Sequence, residues 1–284
     1  MRILIIGAEG RLGSAISRHA QAAGHDVVES TMALLDITDF PAVSARFADV
    51  RPELVVHAAA WTDVDGCARD PEKALVNNGI ASGGVAMAAR QVAAPVVYVS
   101  TNEVFSGAHD RAYREDDAPQ PANPYGYSKW VGEVAVRHAN PGHYIVRTSW
   151  LFAHGGRNFV QAILRAADEG RPLRVVQDEV GNPTYTEDVA EAVMRLCGTG
   201  AFGVYHLVNE GAVSRYDFAR EVLRLSGRSH VPIEPIMMSE WQRASTPPRY
   251  SPLENHNGAK LGITLRAWQD ACADFMAREG LLSS

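Results

Sequence analysis

The chain has 284 residues, 46% of them hydrophobic and 21% charged, with a formal net charge of −6. That length can hold a large sheet-based core with a smaller appended lobe, and an acidic balance without basic runs excludes a general nucleic-acid partner. Cys67, Cys197 and Cys272 are too scattered for a disulfide framework or a zinc cluster. With no stretch apolar enough to span a bilayer and a first strand at residue 2, the expectation is a cytoplasmic protein with no membrane partner.

Arg2–Ile6 reads as a strand, followed by a turn bearing Gly7, Gly10 and Gly13 and by the helical pattern Leu12, Ile16, Ala20. Glycines at that spacing let the backbone turn sharply, approach a pyrophosphate and pack helix on strand, with free N–H groups aimed at the anion. A second strand over 24–28 completes a βαβ unit. Gly7, Gly10, Arg11, Leu12 and Gly13 are therefore candidate dinucleotide-binding residues. An acid after the second strand selects NADH and a cation selects NADPH. Glu29 is near that position, but no cation follows it, and Arg11 supplies charge from the glycine turn. NADPH or NADH both remain open, with NADPH slightly favoured. Asp36 and Ile37 fall where an adenine could rest, or where a helix N-cap could begin.

Residues 54–60 form a buried-type strand whose end places Ala58, Ala59, Ala60 and Thr62 beside the cofactor. A helix within 72–91 is a candidate oligomer face, which would make a homodimer. A strand over 96–100 ends at Ser100 and Thr101, a helix covers 125–138 and a strand 144–148. This alternation predicts a Rossmann-type doubly wound parallel sheet whose ligands lie beyond the carboxyl ends of the strands. Domain bounds follow: 1–150 plus about 186–208 for the nucleotide-binding domain, about 151–185 and 209–284 for a substrate lobe.

Tyr125 and Lys129 are one helical turn apart, so both project from one face while Tyr127 points elsewhere. A cation beside a phenol lowers its pKa from about 10 and suits it to pass a proton near neutrality. His57, inside an apolar strand, reads as a core histidine, and Asp188 as serving the start of its helix.

Six blocks occur in order: Gly-x-x-Gly-x-x-Gly, residues 58–65, Ser100 to Gly107, Asn123-Pro124-Tyr125-x-x-x-Lys129, Arg147-Thr148-Ser149-Trp150, and Gly181-Asn182-Pro183-Thr184. Over nearly its whole length the chain resembles the extended short-chain dehydrogenases and, within them, the dTDP-4-dehydrorhamnose reductases. The resemblance implies NAD(P)H-dependent reduction of the 4-keto group of a dTDP-4-keto-6-deoxy sugar, dTDP-4-dehydrorhamnose to dTDP-L-rhamnose, with Thr101, Tyr125 and Lys129 as the catalytic triad. Val64, Asp65, Glu103, Val104, Trp150 and Arg249 are the substrate-side candidates. A dimer-bridging Mg2+, which the resemblance allows, finds no carboxylate cluster in the sequence to hold it.

Two departures stand out. Asn102-Glu103 replaces the Asp-Tyr usual in these reductases and approaches the Asp-Glu of nucleotide-sugar 4,6-dehydratases, yet Asn102 cannot ionise, so half of that proton-transfer pair is missing. Around Arg249 the family's Arg-Pro-x-Asn-Ser-x-Leu becomes Pro-Pro-Arg-Tyr-Ser-Pro-Leu. The alternatives to the reductase are a dehydratase or epimerase of the same superfamily and a non-catalytic nucleotide-binding regulatory subunit.

Overall fold

The computed structural model describes residues 1–156 and 158–283. Six parallel strands make the central sheet, in the order β2-β1-β3-β4-β5-β10: β1 Arg2–Ile6, β2 Asp26–Ser30, β3 Leu54–His57, β4 Val96–Thr101, β5 His143–Thr148 and β10 Gly203–His206. Chain order reverses beside β1, between β2 and β3, and this is where an open α/β sheet offers its crevice. β1, β3, β4 and β5 are almost wholly buried, as strands covered on both faces must be, with Ile, Val and Leu dominating β1 and β3 and Tyr, Ser, Thr and Arg147 interleaved in β4 and β5.

On one face α1 (Arg11–Ala22) and α8 (Thr186–Cys197) share a core with Ile3, Ile5, Val56 and Val146. On the other, α2 (Phe40–Val50) and α5 (Ala81–Gln91) pack on Leu4, Ile6, Val55 and Ile145. A third core joins Phe152, Tyr185, Phe218 and Phe275 from β6 (Leu151–Phe152), β9 (Thr184–Tyr185), α9 (Arg215–Leu225) and α11 (Trp268–Arg278).

Several predicted boundaries move for physical reasons. The second strand lies two residues later than expected because Gly24, at φ +77°, belongs to the turn that ends α1. The 54–60 strand stops at His57, leaving Ala58 to Ala60 as irregular backbone at the sheet's edge. The single helix expected within 72–91 is α4 (Pro71–Ala74), a π-helical turn over Leu75–Ile80, and α5, preceded by α3 (Val64–Arg69). The π turn presents Asn78, whose side chain accepts the Trp61 amide at 2.7 Å and donates to Trp61 O at 3.0 Å, pinning the loop that follows β3.

Candidate active site

The glycine turn fits a dinucleotide. Gly7 has φ +83°, and a Cβ there would stand 2.6 Å from the Ala59 nitrogen; a Cβ on Gly13 would meet the Gly7 carbonyl at 2.1 Å. Neither position tolerates a side chain. α1 begins at Gly10 with no side-chain cap and no acid in its first turn, so its amino-terminal field is left for an anion. Leu12 itself is a core side chain and contributes only backbone, while Arg11 is exposed at the helix start. Glu29, near the end of β2, is exposed, and one oxygen of its carboxylate accepts from Ser17 on α1. Asp36 closes a local turn by accepting the Thr38 amide at 2.9 Å, and the N-cap of α2 is Asp39, which accepts the Ala42 amide at 3.0 Å. Ile37 is buried in the core beneath.

Helix α6 (Pro124–Ala139) is positioned by Asn123, whose side-chain oxygen accepts the Gly126 amide at 2.8 Å. Tyr125 and Lys129 lie on its buried face, whereas Tyr127 is 48% exposed. Thr101 ends β4, and its hydroxyl is near enough to the Tyr125 phenol to act on the pKa of that phenol. The threonine and the phenol thus meet at the carboxyl edge of the sheet, with the lysine one turn further along.

The expected effect of Lys129 on Tyr125 is not what the geometry produces. Burial raises the pKa of the phenol, the nearby Glu103 charge adds to that, and Thr101 offsets only part. The Lys129 ammonium lies over the Tyr98 ring, 4.0 Å from its centroid, and burial pushes it down to about 7 against the charge of Glu133. Tyr125 is thereby kept protonated, the state a proton donor needs.

On the open side of Tyr125, Asn123 donates to Glu103 at 2.6 Å. Burial raises the Glu103 pKa against that bond, with Glu179 adding to the rise and Arg243 and Arg215 opposing it. Arg215 pairs with Glu179 at 3.0 Å and stacks on Trp150, 3.5 Å from the ring centroid. Trp150 is partly buried at φ +42°, a conformation rare outside glycine, and its ring occupies the space a Cβ on Gly181 would take, at 2.7 Å. Asp65 accepts the Ser245 amide at 2.9 Å and pairs with Arg243 at 3.2 Å; these outweigh burial and hold its pKa low. Val64 packs beside Tyr125.

The chain matches the model of the RmlD substrate binding domain family over residues 1–280. It belongs to that family. A dTDP-4-dehydrorhamnose reductase of Mycolicibacterium smegmatis is 37% identical to this RmlD-family chain, covering 97% of the chain and 85% of its own length. The spore coat polysaccharide biosynthesis protein SpsK of Bacillus subtilis is also 37% identical, with 97% and 96% covered. The crystal structure of a Bacillus anthracis dTDP-4-dehydrorhamnose reductase in complex with NADP superimposes with a TM-score of 0.94 at 33% identity, covering 98% of this chain and 99% of that one.

Within this member of the RmlD family some nominated residues lie off the site. Val104 is fully buried among Phe105, Tyr113 and Leu253, so its side chain cannot meet a ligand. Arg249 is 68% exposed and faces Asp178 at 3.6 Å; Arg215 and Arg243 are the guanidiniums coupled to Glu103. Asp188 sits in the first turn of α8 without capping it, accepting from Asn209 at 2.7 Å and pairing with Arg266 at 2.9 Å. Ser100 donates to the buried Glu133 at 2.6 Å, which places it behind Thr101. Ala58, Ala59 and Ala60 are partly open and Thr62 is exposed, at the mouth of the crevice. His57 is a core residue hydrogen-bonded to Ser82 at 3.0 Å. Asn78, Arg215 and Arg243 were missed by sequence reasoning; a cation just after the Ser214 N-cap is the one available hint, and it says nothing of Trp150. Among the described residues no helix is long and apolar enough to cross a membrane, and no three His, Cys, Asp or Glu side chains cluster as metal ligands.

Proposed function

We propose that this chain reduces the 4-keto group of a dTDP-4-keto-6-deoxy sugar with NADPH, converting dTDP-4-dehydrorhamnose to dTDP-L-rhamnose. The approach of Thr101, at the carboxyl end of β4, to the Tyr125 phenol, one turn from Lys129 on the buried face of α6, carries this reading. NADPH, when bound, supplies the hydride. Tyr125 delivers its proton to the developing alkoxide, and the Thr101 hydroxyl, which donates to Asn102 at 3.3 Å in the free protein, turns to donate to the same oxygen. Lys129 holds the nicotinamide ribose. The NADP held by the Bacillus anthracis relative, and Arg11 beside the glycine turn, support NADPH over NADH.

Asn102 weighs against dehydration. It is buried, cannot ionise, and spends its amide on Ser251 at 2.7 Å. The third core, around Phe152 and Phe275, is the core of the substrate lobe in this reading. Val76, Ile80 and Met87, exposed at 37, 50 and 56%, form the face of a homodimer, which sedimentation would test. The enzyme works in the cytoplasm. Mixing purified protein with NADPH and dTDP-4-dehydrorhamnose should give oxidation of the cofactor. Tyr125→Phe should slow turnover by roughly 10²–10³-fold while leaving NADPH binding intact; normal turnover in that variant would remove the reading's basis.

A further inference from the structure

The proposed reduction uses Thr101, Tyr125 and Lys129 and leaves one ionisable side chain at the reacting end without a role. Glu103 follows Thr101 at the close of β4 and is held from several directions. Its amide donates to the Thr101 hydroxyl at 3.2 Å, and its Oε2 accepts Asn123 Nδ2 at 2.6 Å. Its carbonyl oxygen lies 2.0 Å from where a Cβ on Gly126 would stand. Asn123 and Gly126 flank Tyr125 at the start of α6, so these contacts press Glu103 against the turn that bears the phenol, and its charge acts on that phenol. The other carboxylate oxygen, Oε1, accepts from none of the described residues and is not sealed in the core, since the side chain is partly open to the crevice. A carboxylate oxygen left free beside a proton-donating phenol is chemistry that hydride transfer does not call on.

We infer that Glu103 acts as a base toward a carbon next to the ketone, so that this site enolises its keto sugar and exchanges one of the hydrogens flanking the carbonyl with solvent. The inference rests on the reductase reading, which puts the ketone oxygen at Tyr125. The step balances without an oxidant or reductant. The C–H bond breaks and its proton passes to Glu103 Oε1; its electron pair becomes the new C=C bond, and the carbonyl π pair takes the proton of Tyr125 to give the enol. Before the reverse step, the proton on the open oxygen trades with water, so the carbon regains a proton from solvent. With the uncharged Asn102 as its neighbour, Glu103 is the carboxyl that both removes and returns the proton, and the configuration of the carbon is kept. The two transfers assist each other. The Glu103 charge is one of the causes that hold the proton on Tyr125, and that opposition ends once Glu103 is protonated, while the total charge of the pair stays the same. Burial raises the pKa of Glu103 itself, with Glu179 adding to the rise, which strengthens the carboxylate as a base.

The test is proton exchange in the absence of reduction. The full chain saturated with NADP+, which has no hydride to give, is incubated with dTDP-4-dehydrorhamnose in D2O, and proton NMR follows the hydrogens on the carbons flanking the ketone against a protein-free sample. Wild type should replace one of these hydrogens with deuterium well above the protein-free rate, with neither carbon inverted. Glu103→Gln keeps an acceptor for Asn123 but cannot take up a proton, and should slow the exchange roughly 10²-fold or more. Glu103→Asp should restore part of it, and matching thermal melts show that both variants are folded. Exchange no faster than the protein-free rate, or equally fast in Glu103→Gln, would overturn the inference, as would inversion at the exchanging carbon. The two readings fail separately. Oxidation of NADPH by this sugar with no deuterium uptake keeps the reductase and removes the base. Deuterium uptake with no oxidation of NADPH does the reverse, and absence of both removes both.

Discussion

Glu133→Gln isolates the buried charge behind the catalytic edge. The Glu133 carboxylate receives Arg147 Nε at 2.9 Å and Arg147 Nη2 at 2.7 Å, and also the Ser100 hydroxyl at 2.6 Å. Both partners of the ion pair are 2% exposed. Glutamine keeps the shape and one acceptor oxygen, so the perturbation is the removal of a charge, which leaves the Arg147 guanidinium unpaired in the core. Breaking a buried pair from one side costs about 3–5 kcal/mol. At roughly 2–4 °C per kcal/mol for large domains, the melting temperature should fall by about 10 °C. Replacing both partners, Glu133→Leu with Arg147→Met, leaves no orphan charge and should recover most of the loss. Urea titration followed by circular dichroism measures all three proteins. The pair has a second effect on the site: Glu133 is the charge that holds up the Lys129 pKa, so in Glu133→Gln the lysine should titrate below its value of about 7. A single variant less than about 1 kcal/mol weaker than wild type, or a double variant as weak as the single one, would refute the reasoning.

The remaining predictions are these. His57 and His206 are both pushed down to about 3, by burial first and then by Lys129 and Arg147 respectively. Between pH 6.5 and 3 the unfolded chain binds protons there that the folded chain does not, so acidification destabilises: at pH 4.5 each histidine should cost about 3 kcal/mol, and His57→Gln should flatten the urea-midpoint slope. For Lys129, at about 7 folded and 10.5 unfolded, the sign is the same in a higher window: stability should rise with pH from 7 to 9, by about 3 kcal/mol, and Lys129→Met should lose that rise. A methyl group on Gly13 would stand 2.1 Å from the Gly7 carbonyl; Gly13→Ala should therefore force α1 from β1 and abolish NADPH binding in a fluorescence titration, and retained affinity would contradict the close-approach argument. Arg11→Ala should raise the KM for NADPH several-fold and that for NADH little; equal effects would exclude a role for Arg11 at the 2′-phosphate.

What was legible in the sequence is what repeats locally. The apolar runs of β1, β4 and β5, the glycine turn and the i, i+4 placement of Tyr125 and Lys129 each depend on contacts within a few residues, and the fold keeps them. The charge beside the Tyr125 phenol, Glu103 after β4, gathers its own charged partners from distant places: Glu179 between β7 (Leu173–Val176) and β9, Arg215 at the start of α9, and Arg243 in an irregular segment. No periodicity encodes such a meeting. Arg147 did leave a trace, since a charged side chain in the middle of an apolar strand requires a buried partner, and Glu133, one turn beyond Lys129, was available. The π turn at 75–80 was hidden for another reason. It satisfies the helical pattern in composition and departs from it only because the Asn78 carbonyl is taken by Tyr98 at 3.0 Å and its side chain by the Trp61 loop.

The polar chain behind Thr101 bears on the proposed choice of reduction over elimination. Thr101 donates to Asn102 at 3.3 Å, and Asn102 donates onward to Ser251 at 2.7 Å, linking the end of β4 to the segment before Leu253. The second of these bonds needs an N–H, which an aspartate at position 102 lacks. An aspartate there would also place a second charge in a 4% exposed position, beside a glutamate whose pKa burial already raises. Two adjacent buried carboxylates disfavour shared ionisation, and one of them would hold a proton for elimination. With asparagine the neighbourhood keeps a single carboxyl, Glu103, bound by Asn123 at 2.6 Å. Tyr125 then remains the proton source nearest Thr101, so the same strand end that could serve an acid–base pair is left with one acid and one hydrogen-bond donor, the set that hydride addition to a ketone requires.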